Sequence, residues 1–248
     1  MRTEPNFFMT AEYIRHKGLR WDDQDGLIGW RDPDDPNLWF FPPWMVEQGR
    51  FAVKKQRYWA GFPGLPGNRP TELDRQYVYN PLKFQELEGS EWKVYRKNIR
   101  KFPARLPVGS HLEYKMIEGD DYEDQIADLV EHWCGPRPTI QDPDVLVRFC
   151  LFGWWRWGLF QDGLLVGLNV GDLNWKHVIF RYCLDDGTPF LQEYLRHQFY
   201  TMPWTTCNAT VGIWVNDGGD LGQEGLRKFK ERLNPARIET VYSNEGTE

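Results

Sequence analysis

The sequence predicts an α/β chain in which a mixed β-sheet is flanked by helices. Three observations carry this. The chain has 248 residues, 41% of them apolar and 27% charged, which suits a globular protein with a sizeable core. Residues 157–186 read as a β-meander: "WGLFQDGLLVGLNVGDLN" is strand, Asp-Gly turn, strand, and "KHVIFRYCLDD" is a third strand. Around that meander lie helical periods, at 121–135, 189–201 and 222–233.

Taken in order, residues 1–36 read as an N-terminal helix and then an acidic segment with the turn signals "DDQDG" and "DPDDP". Residues 37–80 hold short aromatic runs broken by Pro and Gly, which favour strands and loops, with 61–70 a loop. In 81–102, Trp92, Tyr95, Ile99 and Phe102 fall on one helix face. "LEYKMI" within 104–119 is a strand. The helix at 121–135 is expected to be capped by Asp120 or Asp121, stopped by Gly135, and buried through Ile126, Leu129, Val130 and Trp133. Residues 142–155 start as a helix, and 207–217 read as a strand. A basic helix at 222–233, buried through Leu226, Phe229 and Leu233, precedes a last strand at 237–243.

Composition narrows the class. No apolar run approaches the roughly 20 residues of a membrane span, and the first residues carry no apolar signal region, so a soluble cytoplasmic protein is expected. Cys134, Cys150, Cys183 and Cys207 form no paired motif, which argues for buried thiols over a disulfide framework or a zinc ribbon. His132 and Cys134 alone do not make a metal site, and no metal is expected. The formal net charge of −6 should repel nucleic acid overall. Yet six of the thirteen residues from 93 to 105 are basic. They form either a solvated helix face or an anion-binding face for phosphate, RNA or DNA, with Arg96, Lys97 and Arg100 the candidate contacts. The 13 tryptophans make either a large aromatic core or an aromatic-walled cleft, for which Trp155 and Trp157 are candidates.

The order of the second half, helix, helix, three strands, helix, strand, helix, strand, resembles the GNAT acyltransferase fold, a mixed sheet that splays between its fourth and fifth strands. Two patches narrow the resemblance. "NDGGDLGQEGLRKFKERLNPARIETVY" (216–242) and "LKFQELEGSEWKVYRKNIRKF" (82–102) are similar to segments of the C-terminal domain of phosphatidylglycerol lysyltransferases and their free-standing relatives. The resemblance implies two GNAT-like halves, residues 1–106 and 107–248. It also implies transfer of an acyl or aminoacyl group from an acyl thioester or aminoacyl-tRNA to an amine or hydroxyl. The donor is then a co-substrate, acyl-CoA or aminoacyl-tRNA, and no cofactor is held tightly.

One departure bears on the donor. Acetyl-CoA-dependent GNAT enzymes carry a glycine-rich loop after the fourth strand, whose N–H groups hold the pyrophosphate. The matching stretch here is "LDDGTPFLQEYL" (184–195), with two aspartates and a proline. Asp185 and Asp186 would repel a pyrophosphate, and Asp185 would suit the ammonium of an aminoacyl donor.

For the chemistry, Asp217 and Asp220 flank a Gly-Gly turn after an apolar strand, where one could bind an ammonium or act as base. Alternatively Asp220 caps the terminal helix. The resemblance places Arg227 and Lys228 at the donor site. The other reading is a solvated helix with a Glu224–Lys228 pair. Arg181 lies mid-strand among apolar residues, where it must snorkel, meet a ligand or meet a carboxylate such as Asp172. Two further readings stand beside the acyltransferase: a GNAT-fold enzyme modifying a nucleic-acid base, and a non-catalytic GNAT-like binding module.

Overall fold

A computed structural model describes residues 20–24, 27–31, 38–40, 55–58, 71–136, 143–152, 155–173, 177–220 and 222–245. The expected N-terminal helix, the "DPDDP" turn and the 61–70 loop lie outside the described residues. In chain order the elements are β1 (Arg20–Gln24), β2 (Leu27–Arg31), β3 (Leu38–Phe40), β4 (Lys55–Tyr58), β5 (Thr71–Tyr79), α1 (Pro81–Glu86) and α2 (Lys93–Lys101). After a 3-10 turn at Pro103–Arg105 come β6 (Leu112–Met116), α3 (Glu123–Cys134), α4 (Pro143–Phe152), β7 (Trp155–Gln161), β8 (Leu164–Leu173) and β9 (His177–Asp185). The chain closes with α5 (Leu191–Thr201), α6 (Pro203–Thr210), β10 (Trp214–Asn216), α7 (Glu224–Arg232) and β11 (Arg237–Glu245).

The chain forms two compact units. The first comprises the described residues of Met1–Tyr79, Asn174–His177 and Asn216–Glu248, the second those of Asn80–Leu173 and Val178–Val215. This division differs from the contiguous halves 1–106 and 107–248. The reason lies in α1 and α2, which pack on α5: Phe84 meets Tyr200 edge-on at 4.5 Å, and the Tyr95 hydroxyl donates to the Glu193 carbonyl at 3.0 Å. The last strand, in turn, pairs with β5 rather than with its sequence neighbours.

In the first unit the strand order is β1-β2-β3-β4-β11-β5. The β3–β4 pair is parallel and the remaining pairs are antiparallel, so the sheet is mixed. In the acidic segment that reads as turns, β1 and β2 pair antiparallel, from Arg20–Arg31 to Gln24–Leu27. β11 pairs with β5 from Arg237–Val78 to Ser243–Thr71, with a register shift at Val241/Tyr242. Tyr77, Val78 and Tyr79 are fully buried.

In the second unit the order is β10-β9-β8-β7-β6, and β9 through β6 are antiparallel. Asp162 (φ 52°) and Gly163 (φ 86°) make the tight β7–β8 turn, both in the left-handed region that such a hairpin requires. One face of this sheet buries Phe160, Leu165, Leu168, Val170 and Leu184 with Ile126, Leu129 and Val130 of α3 and Leu146 and Cys150 of α4. Over the other face lies α5, close enough that a Cβ at Gly171 would stand 2.8 Å from the Phe199 ring. β10 has three residues against nine in β9, so pairing between them cannot run the length of β9. β8 and β9 pair from Gly167–Asp185 to Leu173–Val178 with one register shift.

Three local expectations change. The helix at 81–102 is two helices, because Leu87 enters the left-handed region (φ 46°) and the following Gly89 does too (φ 94°). Trp92, Tyr95, Ile99 and Phe102 are nevertheless all buried on one face of α2. Residues 203–210 are helical, with Pro203 at the first turn and the Thr206 and Thr210 hydroxyls donating back to the Pro203 and Cys207 carbonyls. Helix α3 is entered through Tyr122 (φ 66°) without a side-chain cap, so neither Asp120 nor Asp121 caps it. Glu123 and Asp124 in its first turn complement the helix dipole instead.

Candidate functional site

The first unit builds an ionic cluster around the loop after β10. Backbone bonds dock this loop on β5: the Asp217 amide donates to the Tyr77 carbonyl at 2.9 Å, and the Tyr77 amide donates to the Gly218 carbonyl at 3.1 Å. The Asn216 side-chain amide donates to Gln76 Oε1 at 2.8 Å, again between buried residues. The geometry directs both aspartates at helix α7. Asp220, 1% exposed, accepts from the Tyr77 hydroxyl at 2.6 Å, from Arg227 Nε at 2.9 Å and from the Gly222 amide at 2.9 Å. Lys230 Nζ donates to the Asp217 carbonyl and lies 3.3 Å from its Oδ1, with both side chains buried. The same ammonium sits 5.7 Å from the centre of the Tyr77 ring, and the Tyr79 hydroxyl donates to the Lys230 carbonyl at 2.9 Å.

This arrangement sets the protonation states. Burial alone would raise the Asp220 carboxyl, but hydrogen bonds from Arg227 and Tyr77 outweigh it and hold the group below its usual range. Burial, then the bond to Asp220, pushes the Tyr77 phenol well above its usual value. Asp220 is thus a fixed anion with donors from three residues on it, and it does not cap α7, whose first flanking residue is Gln223.

A depressed carboxylate stabilises the fold above its unfolded pKa, near 4, and that contribution drains as pH falls through the folded value. The stability gap between wild type and Asp220→Asn, read from urea midpoints, is therefore expected to narrow on acidification below pH ~4. For the raised phenol the sign reverses. The gap between wild type and Tyr77→Phe is expected to narrow as pH rises past the ordinary tyrosine value of about 10. A gap independent of pH in either case would show that the Tyr77–Asp220 bond does not form in solution.

The second unit has its own polar feature, the loop between β9 and α5. Asp185 Oδ1 accepts from the Gly187 amide at 2.8 Å and Asp186 Oδ1 from the Thr188 amide at 2.9 Å. Asp185 Oδ2 also accepts from Gln192 Nε2 at 2.6 Å. The chain's own carboxylates thus occupy two amides that an anionic ligand at the start of α5 would need.

The remaining sequence candidates divide. Arg181 does not reach a ligand surface: its Nε is 2.6 Å from Asp172 Oδ2, and the two side chains are 1% and 0% exposed. Arg227 is half-buried and tied to Asp220, whereas Lys228 is exposed and paired with Glu224 at 2.6 Å, the ordinary surface pair of a helix. Arg96 turns back on its own segment, donating to the Leu87 and Gly89 carbonyls, while Lys97 and Arg100 stay exposed. Trp155 and Trp157 sit on β7 opposite Gly171 and Asn169, and Trp157 stacks on Tyr114 with ring centres 5.6 Å apart. Of the cysteines, Cys134, Cys150 and Cys183 are buried and Cys207 is exposed. Among the described residues no group of three or more His, Cys, Asp or Glu side chains could hold a metal ion, and no helix is long and apolar enough to cross a membrane.

Sequence reasoning misses Tyr77, Gln76 and Lys230. Tyr77 reads as one aromatic in a strand, and Lys230 as one more cation on a solvated face. The only hint of Lys230 lies in its position, one turn before Leu233 on the side that docks.

The mixed sheet flanked by helices has a GNAT-like α/β fold. It is the fold of the C-terminal DUF2156 domain of an Agrobacterium fabrum protein assigned as a lysylphosphatidylglycerol synthetase, with a TM-score of 0.66 at 15% identity over 96% of this chain and 87% of that one. A conserved protein of unknown function from Bacteroides thetaiotaomicron superposes with a TM-score of 0.68 at 17% identity, covering 94% and 88% of the two chains. L-PGS from Bacillus licheniformis matches with a TM-score of 0.54 at 14% identity, over 72% of this chain and 62% of that one. No protein-family model matches the sequence, and no curated protein matches it significantly.

Proposed function

We propose that the protein is an acyltransferase that draws on an aminoacyl ester, in the manner of an aminoacyl-tRNA, and passes the aminoacyl group to an amine or hydroxyl. One observation carries the choice of donor: the Gly187 and Thr188 amides at the entrance of α5 are already bonded to Asp185 and Asp186. In the GNAT enzymes that this chain resembles, that loop holds the pyrophosphate of coenzyme A. Here a pyrophosphate would have to displace two carboxylates and tolerate their charge. An aminoacyl donor carries an ammonium instead, which carboxylates with spare lone pairs attract.

Transfer itself requires little from the protein. The acceptor lone pair attacks the ester carbonyl to give a tetrahedral oxyanion; as this collapses the acyl bond to the ribose oxygen breaks, and the proton given up by the acceptor ends on that oxygen, which leaves as the ribose hydroxyl. In this reading Asp220 holds Arg227 rather than moving a proton, because Tyr77, Gly222 and Arg227 already place four hydrogen bonds on it.

The test is intact-mass and radiolabel analysis of the purified protein with charged tRNA pools or acetyl-CoA, across amine and hydroxyl acceptors. Label is expected to move from aminoacyl-tRNA, with no saturable binding of acetyl-CoA at millimolar concentration. Transfer from acetyl-CoA alone would overturn the reading.

A further inference from the structure

We infer that β6 is a docking edge for a second copy of this chain, the two β6 strands pairing antiparallel about a two-fold axis at Tyr114. Among the described residues β6 ends the strand order and pairs with β7 alone. Its register with β7 fixes which backbone groups are left over. The Ile117 amide donates to the Arg156 carbonyl at 2.8 Å, and the Asp162 amide donates to the His111 carbonyl at 2.9 Å. Both bonds continue the register that runs from Leu112–Gln161 to Met116–Trp157. Bonded and non-bonded pairs alternate along an antiparallel ladder. His111, Glu113, Lys115 and Ile117 therefore turn their backbone groups to β7. The N–H and C=O groups of Leu112, Tyr114 and Met116 point outward from the sheet edge.

Charge complementarity chooses the occupant. An edge that stays single is blunted by Pro, by a bulge or by charge of one sign. β6 reads "LEYKM", without Pro, and meets β7 without a register shift. Its one acid and one base stand on either side of Tyr114. In a two-fold pairing centred there, Glu113 of each copy lies opposite Lys115 of the other, on one face of the joined sheet. On the other face Tyr114 meets its own equivalent, and Leu112 meets Met116. The outward groups then close about six ladder bonds. Moving the axis to Glu113 or to Lys115 keeps the bonding phase but sets acid on acid or base on base, so charge selects one register. The side chains are accessible for this. Glu113 and Lys115 are 46% and 36% exposed and bond each other at 2.7 Å along the strand, and Met116 is 41% exposed. Lys115 Nζ lies 4.8 Å and 5.5 Å from the centres of the Phe160 and Tyr122 rings, which keep the ammonium on the sheet face where the second copy's Glu113 would stand. The inference does not depend on the aminoacyl-donor reading.

The experiment is sedimentation velocity of the full chain between about 1 and 300 µM, where an interface at the small end of specific ones is expected to show a monomer–dimer equilibrium. Lys115→Glu and Glu113→Lys each turn both opposite-charge pairs into like-charge pairs. Either is expected to raise the dissociation constant at least ~10-fold at low salt. The swap Glu113→Lys/Lys115→Glu restores opposite pairs and should return it to within about threefold of wild type. Met116→Pro removes an outward N–H without costing a bond to β7, and should weaken the dimer likewise. Circular dichroism checks that each variant folds. Hydrogen exchange reads the same edge in wild type without any substitution: amides in 112–116 are expected to exchange more slowly as concentration rises. Four results would overturn the edge: a wild type that stays monomeric throughout, a dimer indifferent to both single charge variants, a swap no better than either single variant, or exchange at 112–116 that does not change with concentration.

Discussion

Lys230→Met is expected to destabilise the protein by about 3–5 kcal/mol, because it leaves the Asp217 carboxylate buried without its cation. The pair is enclosed, with side chains 4% and 3% exposed, and Lys230 also bonds the Asp217 carbonyl. Removing both charges is a different experiment. Buried ion pairs seldom gain much over a well-packed apolar pair, so Asp217→Asn/Lys230→Met should recover much of the loss. Urea unfolding of the two single variants and the double variant measures the coupling. A single variant within about 1 kcal/mol of wild type would mean that solvent reaches the pair. The result also bears on chemistry. A catalytic Asp217 would lose activity on conversion to Asn at unchanged stability, whereas an ion-pair partner loses stability first.

Arg181→Met should cost a similar ~3–5 kcal/mol, since Asp172 on the neighbouring strand would be left charged at 0% exposure. The two residues lie on β8 and β9, with Asp172 opposite Ile179, so the pair spans adjacent strands inside the second unit. Asp172→Leu/Arg181→Met is expected to return close to wild-type stability, and a double-mutant cycle by thermal or urea melts gives the coupling. An Arg181 that touched the donor would behave oppositely. Its methionine variant would melt like wild type and raise the KM for donor. That outcome would place Arg181 in the site and remove it from the sheet.

The difference between these residues and those that sequence reasoning favours is instructive. Asp217, Asp220 and Arg227 are legible as a group, because a Gly-Gly turn and a basic helix lie next to each other in the chain. What they do is not legible, since the side chain that fixes Asp220 comes from Tyr77, 143 positions away. Arg181 shows the reverse. Its unpaired look mid-strand points to a partner, and Asp172 is a natural one because a tight meander keeps the two strands close. Lys228 and Arg96 attract notice by charge alone, and charge alone does not tell a helix's solvent face from its docked face.

The sequence by itself determined the local elements and the α/β class. Alternation, Asp-Gly turns and the 3.6-residue period act over a few residues, and β7 to β9, α5, α7 and β11 arise where those signals stand. It also determined that the loop before α5 is anionic. Tertiary structure alone decided that β5 receives both β11 and the loop after β10, that Lys230 rather than Lys228 is the buried cation, and that α1 and α2 belong with α5. Those outcomes depend on which surfaces meet across more than a hundred residues of chain. The free energy that selects them is burial and charge pairing between distant segments, which no local pattern encodes.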